Sequence, residues 1–126
     1  MLLGRRTYHI FAGYWPQQDG GIAQLFSRVA KYVAGRQTPS LEWTGSTLLG
    51  PDVVAALHEL RDMHGHIHVI GSLDFVQTLF AERLVDRLML WVYPVLRGGG
   101  KKVFADGRFQ RTLNSSNQWS PRRRMP

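Results

Sequence analysis

The chain contains no cysteine, which removes disulfide frameworks, thiolate zinc sites and cysteine nucleophiles at once. It also lacks any apolar run near the ~20 residues that cross a bilayer. Its first residues, MLLGRRTYHI, do not carry the long apolar segment of a secretory signal. A soluble, cytoplasmic domain is the expectation. Acid is scarce, with nine Asp and Glu against sixteen Lys and Arg. That imbalance is local: residues 107–126 hold five Arg and no acid, whereas residues 1–106 hold eleven basic and nine acidic side chains. The body is nearly neutral, and the basicity belongs to the end of the chain. A solvated terminus explains such a tail better than a nucleic-acid site, because the folded body does not share the charge.

What the chain does have is enough apolar material for a core: 44% hydrophobic residues and four Trp, spread over 126 residues. That suits one domain and argues against disorder. Strand-like and helix-like stretches alternate. Met1, Leu2 and Leu3 run into Gly4, and Ile10, Phe11 and Tyr14 then recur at helical spacing up to Trp15-Pro16. Ile22, Leu25, Phe26 and Val29 predict a second helix, Tyr32-Val33-Ala34 a short strand ending at Gly35-Arg36, and 41–44 another short strand. Pro51 marks the first turn of a helix carrying Val53, Val54, Leu57 and Leu60 on one face, which ends near Gly65. A buried strand over 66–70 turns at Gly71-Ser72 into a helix that runs to about Ala81. Residues 88–92 are all apolar and predict a further strand, with Trp91 and Tyr93 as core residues; Val103-Phe104 is the last apolar pair. This order predicts an α/β domain built on a mostly parallel sheet covered on both faces.

Three strand-to-loop junctions place glycine beside polar or basic groups: Gly4-Arg5-Arg6-Thr7, Gly35-Arg36 and Gly71-Ser72. The carboxyl ends of parallel strands share one edge of the sheet, where helix N-termini present free amides and the positive end of the dipole. Amides and guanidinium groups at that edge would suit a pyrophosphate and a further phosphate monoester, so a dinucleotide is the expected ligand class.

The motifs LLGRRTYHIFAGYWP, KYVAGRQTP, WTGSTLL, HVIGSLDFVQTLFAERLVDRLMLWVYPVLRGGGKKVF and DGRFQRTL occur in that order. Together they resemble the dihydrofolate reductase-like proteins, in the bacterial branch related to the reductase domain of riboflavin biosynthesis. The resemblance spans about residues 2–113 and implies an NADPH-dependent reductase that transfers hydride to a heterocycle, a carbonyl or an imine. Carried over position by position, it assigns Arg5, Arg6 and Thr7 to the helix start that binds the NADPH phosphates. Gly35 and Arg36 match the turn for the adenosine 2′-phosphate. Ile70, Gly71, Ser72, Leu73, Asp74 and Phe75 match the turn and helix for the pyrophosphate and the neighbouring ribose. Gly35 stands where the family often has Ser, and Gly45 where it often has Asn. The family also tends to hold a cis peptide at the position of Gly71-Ser72.

The resemblance further implies absences. The family's first central strand, its mobile loop over the nicotinamide and a helix carrying substrate contacts have no counterpart before Leu2, and its C-terminal hairpin has none after Leu113. A dihydrofolate reductase-like sheet lacking those parts, with residues 114–126 as a disordered polar and basic tail, is the expected architecture. The strands around 66–70 and 88–92 would each have lost a neighbour, and self-association through the gap is expected. An alternative to the reductase is a catalytically silent remnant that binds a nucleotide or self-associates.

Other features have plainer readings. His64, His66 and His68 alternate, but no carboxylate is near them in the sequence, so no metal site is expected. The run 98–102, GGGKK, is followed by Val-Phe rather than by the Lys-Ser/Thr that opens a helix in a phosphate loop, and reads as a connection between strands. Asp74 suits a helix cap as well as a cofactor contact, and Asp52 suits the dipole of the helix it precedes. No nucleophile–base pair is evident, as expected where a cofactor carries the hydride.

Overall fold

A computed structural model describes residues 1–35 and 40–104. The elements in order are β1 (Leu2–Gly4), α1 (Arg5–Tyr14), a 3₁₀ turn (Trp15–Gln17), α2 (Gly21–Arg28), β2 (Lys31–Ala34), β3 (Ser46–Leu48), α3 (Val53–Met63) and α4 (Leu73–Ala81). The three strands form a parallel sheet in the order β1-β2-β3, with Leu3 opposite Val33 and Val33 opposite Leu48. A single parallel bridge from Leu2 to Val69 adds the segment 66–70 on the other side of β1.

Strand alternation sorts the apolar side chains into two layers. Leu2, Ala34 and half-buried Tyr32, Ile67 and Val69 point to one face, where Leu57 and Leu60 of α3 and Leu79 of α4 meet them. Leu3, Val33 and half-buried Ile70 point to the other, against Tyr8 and Phe11 of α1, Phe26 of α2 and Trp43. A sheet covered on both faces requires near-continuous apolar strands, which is how Leu2-Leu3 and Tyr32-Val33-Ala34 read. The fold is α/β with an all-parallel sheet among the described residues, as the alternation of elements predicts.

The second layer is fastened by polar groups as well as by packing. Tyr8 is 1% exposed, and its hydroxyl accepts from the backbone N–H of Trp43 at 3.0 Å. Lys31 is fully buried at the start of β2, with its ammonium lying 4.5 Å from the Trp43 ring centroid. That ammonium donates to the carbonyls of Thr44 at 2.9 Å, Val29 at 3.0 Å and Ser27 at 3.4 Å, tying the end of α2 to the turn before β3. Burial away from water pushes the Lys31 amine below its ordinary value.

Several sequence expectations need correction. The strand expected over 66–70 is reduced to the bridge at Val69, because β1 is the only described neighbour it has. The strand expected over 88–92 is absent, and Trp91 and Tyr93 are not core: they are 86% and 68% exposed. An apolar run becomes a strand only beside a partner that takes its backbone groups, and none of the described residues does so here. The strand expected over 41–44 lies instead at Ser46–Leu48, since Trp43 turns inward against Tyr8 and the chain reverses at Gly45 (φ +78°) before pairing with β2. Pro51 stands outside α3, and Asp52 is its N-cap, accepting from the N–H of Ala55 at 3.0 Å. The boundary expected at 113 and the tail 114–126 lie outside the described residues.

Candidate functional site

Parallel pairing puts the ends of β1, β2 and the 66–70 segment at one edge of the sheet, so Gly4, Gly35 and Ile70-Gly71 emerge there together. Gly4 leads directly into α1, and Gly71-Ser72 into α4. Gly4 is the N-cap of α1 and Ser72 the N-cap of α4, and neither provides a side-chain cap to its own helix. Both helices thus start at this edge without a cap from their own N-cap side chain, an arrangement suited to an anion.

Ser72 instead caps across the gap. Its hydroxyl accepts from the N–H of Gly4 at 2.8 Å and shares a hydrogen bond with Thr7 Oγ1, also at 2.8 Å. The two turns fit so closely that both glycines are needed. A Cβ on Gly4 would stand 2.7 Å from Ser72 Cβ and closer still to its hydroxyl, while a Cβ on Gly71 would stand 3.1 Å from Thr7 Oγ1. Gly71 and Ser72 both have left-handed backbones, at φ +64° and +60°. For serine that conformation costs about 1–2 kcal/mol, and the two hydrogen bonds of Ser72 offset it. The cis peptide expected at Gly71-Ser72 is absent, because the chain makes its sharp turn through these two left-handed residues with trans bonds.

The charges are unequal. The first turn of α1 carries Arg5 and Arg6, both exposed, and no acid. The first turn of α4 carries Asp74, which forms an exposed ion pair with Lys101. Asp74 is therefore not a cap, and Lys101 offsets its repulsion of an anion at α4. Ile70 and Phe75 point into the two core layers, where they fix the height of the turn. Leu73 is half-buried at the start of α4. Of the eleven residues assigned to the cofactor from the sequence, the structure brings Arg5, Arg6, Thr7, Gly35, Ile70, Gly71, Ser72, Leu73, Asp74 and Phe75 to one region. Arg36 lies outside the described residues.

Sequence reasoning passed over two features. The Ser72 clamp joins residues 68 positions apart, and a left-handed serine gives no sequence signal. Lys101 came up only as part of a glycine loop, yet it is the partner of Asp74. A second concavity, an open cleft of about 220 Å³ lined by Tyr8, His9, Ala12, Gly13, Ser40 and Glu42, lies along α1 and includes none of the assigned residues. His64 Nε2 is bonded to the Tyr32 hydroxyl at 2.8 Å, while His66 and His68 are exposed. Among the described residues no group of three or more His, Cys, Asp or Glu is placed to hold a metal ion, and no helix is long and apolar enough to cross a membrane.

The family model of the RibD C-terminal domain matches residues 22–122. The chain belongs to that family. The family takes its name from the C-terminal domain of the riboflavin-biosynthesis reductase and has a dihydrofolate reductase-like fold, with which the parallel sheet flanked by helices is consistent. A comparison with curated proteins gave no match. The matched residues include the Gly71-Ser72 turn and all of α4, while β1 and the Arg5–Thr7 turn precede them.

Proposed function

We propose that the chain binds NADPH along the edge formed by Gly4, Gly35 and Gly71, and that it serves as a reductase of small heterocyclic, carbonyl or imine substrates. The observation that carries this reading is the Gly4–Ser72–Thr7 lock, which holds two uncapped helix starts side by side with Arg5 and Arg6 next to them. The residues fit the cofactor's phosphates: helix-start amides offer hydrogen bonds to a pyrophosphate, and glycine at 4 and 71 lets the two backbones approach. When bound, NADPH supplies the hydride. The chain's own part is to bind and orient. The α4 start would receive the pyrophosphate, with Lys101 neutralising Asp74. Arg5 and Arg6 would flank the phosphates from α1, and Arg36 would select the 2′-phosphate.

A second reading, nucleotide binding without turnover, is favoured by the acids at this edge. Asp74 is the only one among the described site residues, and it is engaged by Lys101. No described carboxylate there is placed to deliver a proton to a reduced substrate.

Titration with NADPH and NADH tests both readings. Saturable binding is expected with NADPH preferred, and Arg36→Ala should remove most of the preference. Absence of saturable NADPH binding overturns the cofactor assignment, and binding without oxidation in the presence of carbonyl, imine or heterocyclic acceptors supports the second reading.

A further inference from the structure

Residues 101–104 are fastened along one side of α4. Lys101 forms its ion pair with Asp74 in the first turn, Gln77 donates to the carbonyl of Val103 at 2.8 Å, and the Phe104 ring stacks on Phe80 with 5.7 Å between centroids. Positions 74, 77 and 80 are three apart, so they follow one another along the same side of the helix. Gln77 also donates to the carbonyl of Leu73 at 3.3 Å, which ties this strap to the first residue of α4. The backbone just after Lys101 is thus anchored to the helix by contacts that do not involve the lysine itself.

The Lys101 side chain is held far less firmly. It is 52% exposed and that of Asp74 80%, and an ion pair so open to water is weak. Asp74 is the second residue of α4, where a negative charge is favoured by the positive end of the helix dipole. A phosphate at the α4 start uses the same field and therefore competes with Asp74 for it. The first turn of α4, Leu73 to Val76, has no basic side chain of its own, and Lys101 brings one.

We propose that Lys101 contacts phosphate directly: its ammonium passes from the Asp74 carboxylate to a phosphate oxygen when the anion arrives at the α4 start. This rests on the reading of the Gly4–Gly71 edge as a phosphate site, and it gives Lys101 a role beyond neutralising Asp74. A pyrophosphate has more negative charge and more acceptor oxygens than a carboxylate, so it draws the ammonium more strongly. Lysine suits the exchange because its ammonium is a compact charge on a flexible stem, free to turn between oxygens while the strap stays in place. Without ligand, Asp74 keeps that stem at the helix start.

Titration of the full chain with inorganic pyrophosphate and, separately, with NADPH tests this. Lys101→Met is expected to weaken both about tenfold, Lys101→Arg to keep most of the affinity, and Asp74→Asn to tighten binding. The double variant Asp74→Asn/Lys101→Met should remain about tenfold weaker than Asp74→Asn, as a direct contact requires. If it binds as Asp74→Asn does, Lys101 only neutralises Asp74 and the proposal is overturned. Lys102→Met removes the same charge one residue away, and an equal loss there overturns it too. The chain has three lysines, so isotopically labelled lysine gives a direct readout by NMR. The ε-carbon signal missing from Lys101→Met should move when pyrophosphate is added to the wild type, and a signal that stays in place overturns the contact. Pyrophosphate bound through Lys101 without any NADPH binding upholds the contact and removes the cofactor reading. NADPH binding that ignores Lys101→Met does the reverse, and no binding of either probe overturns both.

Discussion

Gly4→Ala is the most direct probe of the candidate site, because its effect is steric and can be reversed at a second position. Gly4 has φ −76° and ψ 156°, a backbone that alanine adopts freely. The added methyl costs nothing in conformation, but it meets the Ser72 side chain, with Ser72 Cβ at 2.7 Å. A Cβ cannot rotate away, so the α4 turn must shift. Overpacking of this kind costs about 1–3 kcal/mol. Displacing the Ser72 hydroxyl also takes the acceptor from the buried Gly4 N–H, which costs about 1–3 kcal/mol more. The expected total is about 2–6 kcal/mol. Ser72→Gly alone loses the same acceptor but relieves a left-handed serine worth about 1–2 kcal/mol, so a net change between a gain of about 1 and a loss of about 2 kcal/mol is expected. In the double variant the clash is gone and the acceptor is already absent. Its stability should therefore lie within about 1 kcal/mol of Ser72→Gly and well above Gly4→Ala, a strong favourable coupling. Urea unfolding of the four proteins at one concentration, checked for constant m-values, measures this. If the double variant loses the sum of the two single losses, the turns do not touch as described, and the basis for a shared phosphate site goes with them.

Other perturbations have equally definite outcomes. Tyr8→Phe leaves the buried Trp43 N–H without its acceptor and should cost about 1–3 kcal/mol in urea unfolding, with no change in the sheet signal. Lys31 is pushed below its ordinary value of 10.5 by burial, so the folded state disfavours its charged form. The resulting penalty is present at pH values below the lowered value and is relieved as pH rises towards 10.5, so stability should gain a rising component in that alkaline window. Lys31→Met should abolish that component, and unfolding curves collected across the window for both proteins would show whether it does. Asp52→Ala removes the α3 cap and should cost about 0.5–2 kcal/mol, with Asp52→Asn or Asp52→Ser retaining most of it.

The fold was legible wherever a segment's apolar pattern and its partner both lie in the described chain. Leu2-Leu3 and Tyr32-Val33-Ala34 supply both faces of a parallel sheet, so their continuous apolar character translates directly into burial. The helices follow from 3.6-residue spacing, but the stripe each buries is only partly the expected one: α3 buries Leu57 and Leu60 as expected, whereas α1 buries Tyr8 with Ile10 and Tyr14 left exposed, and α2 buries Ala23 with Ile22 and Leu25 left exposed. Pattern alone misleads where burial depends on a partner. Residues 88–92 have the same character as residues 32–34, yet they are exposed, because a sequence records what a strand would pack against and not whether that surface is there. Trp43 shows the reverse: its inward turn against Tyr8 and Lys31 is set by contacts 35 and 12 residues away along the chain, which no local spacing encodes.

The candidate site divides along the same line. The glycines at 4, 35 and 71 could be read as turns at strand ends, and parallel topology then requires those ends to share an edge. What sequence could not supply is why that edge is rigid. Without the Ser72 hydroxyl, the Gly4 and Gly71 turns would be tied by the backbone pairing of Leu2 with His68 and Ile70 before them and by packing of Gly71 on Thr7, with no hydrogen bond between the helix starts. With it, one oxygen receives the N–H of Gly4 and meets the hydroxyl of Thr7, so α1 and α4 start from a common point. A dinucleotide phosphate that uses amides from both helices needs their spacing fixed before it arrives, since any ordering left until binding is subtracted from affinity. Serine at 72 is therefore both the strained residue of the site and the one that pre-forms it. Its backbone strain is the consequence of placing a hydroxyl where glycine would have been the easier choice.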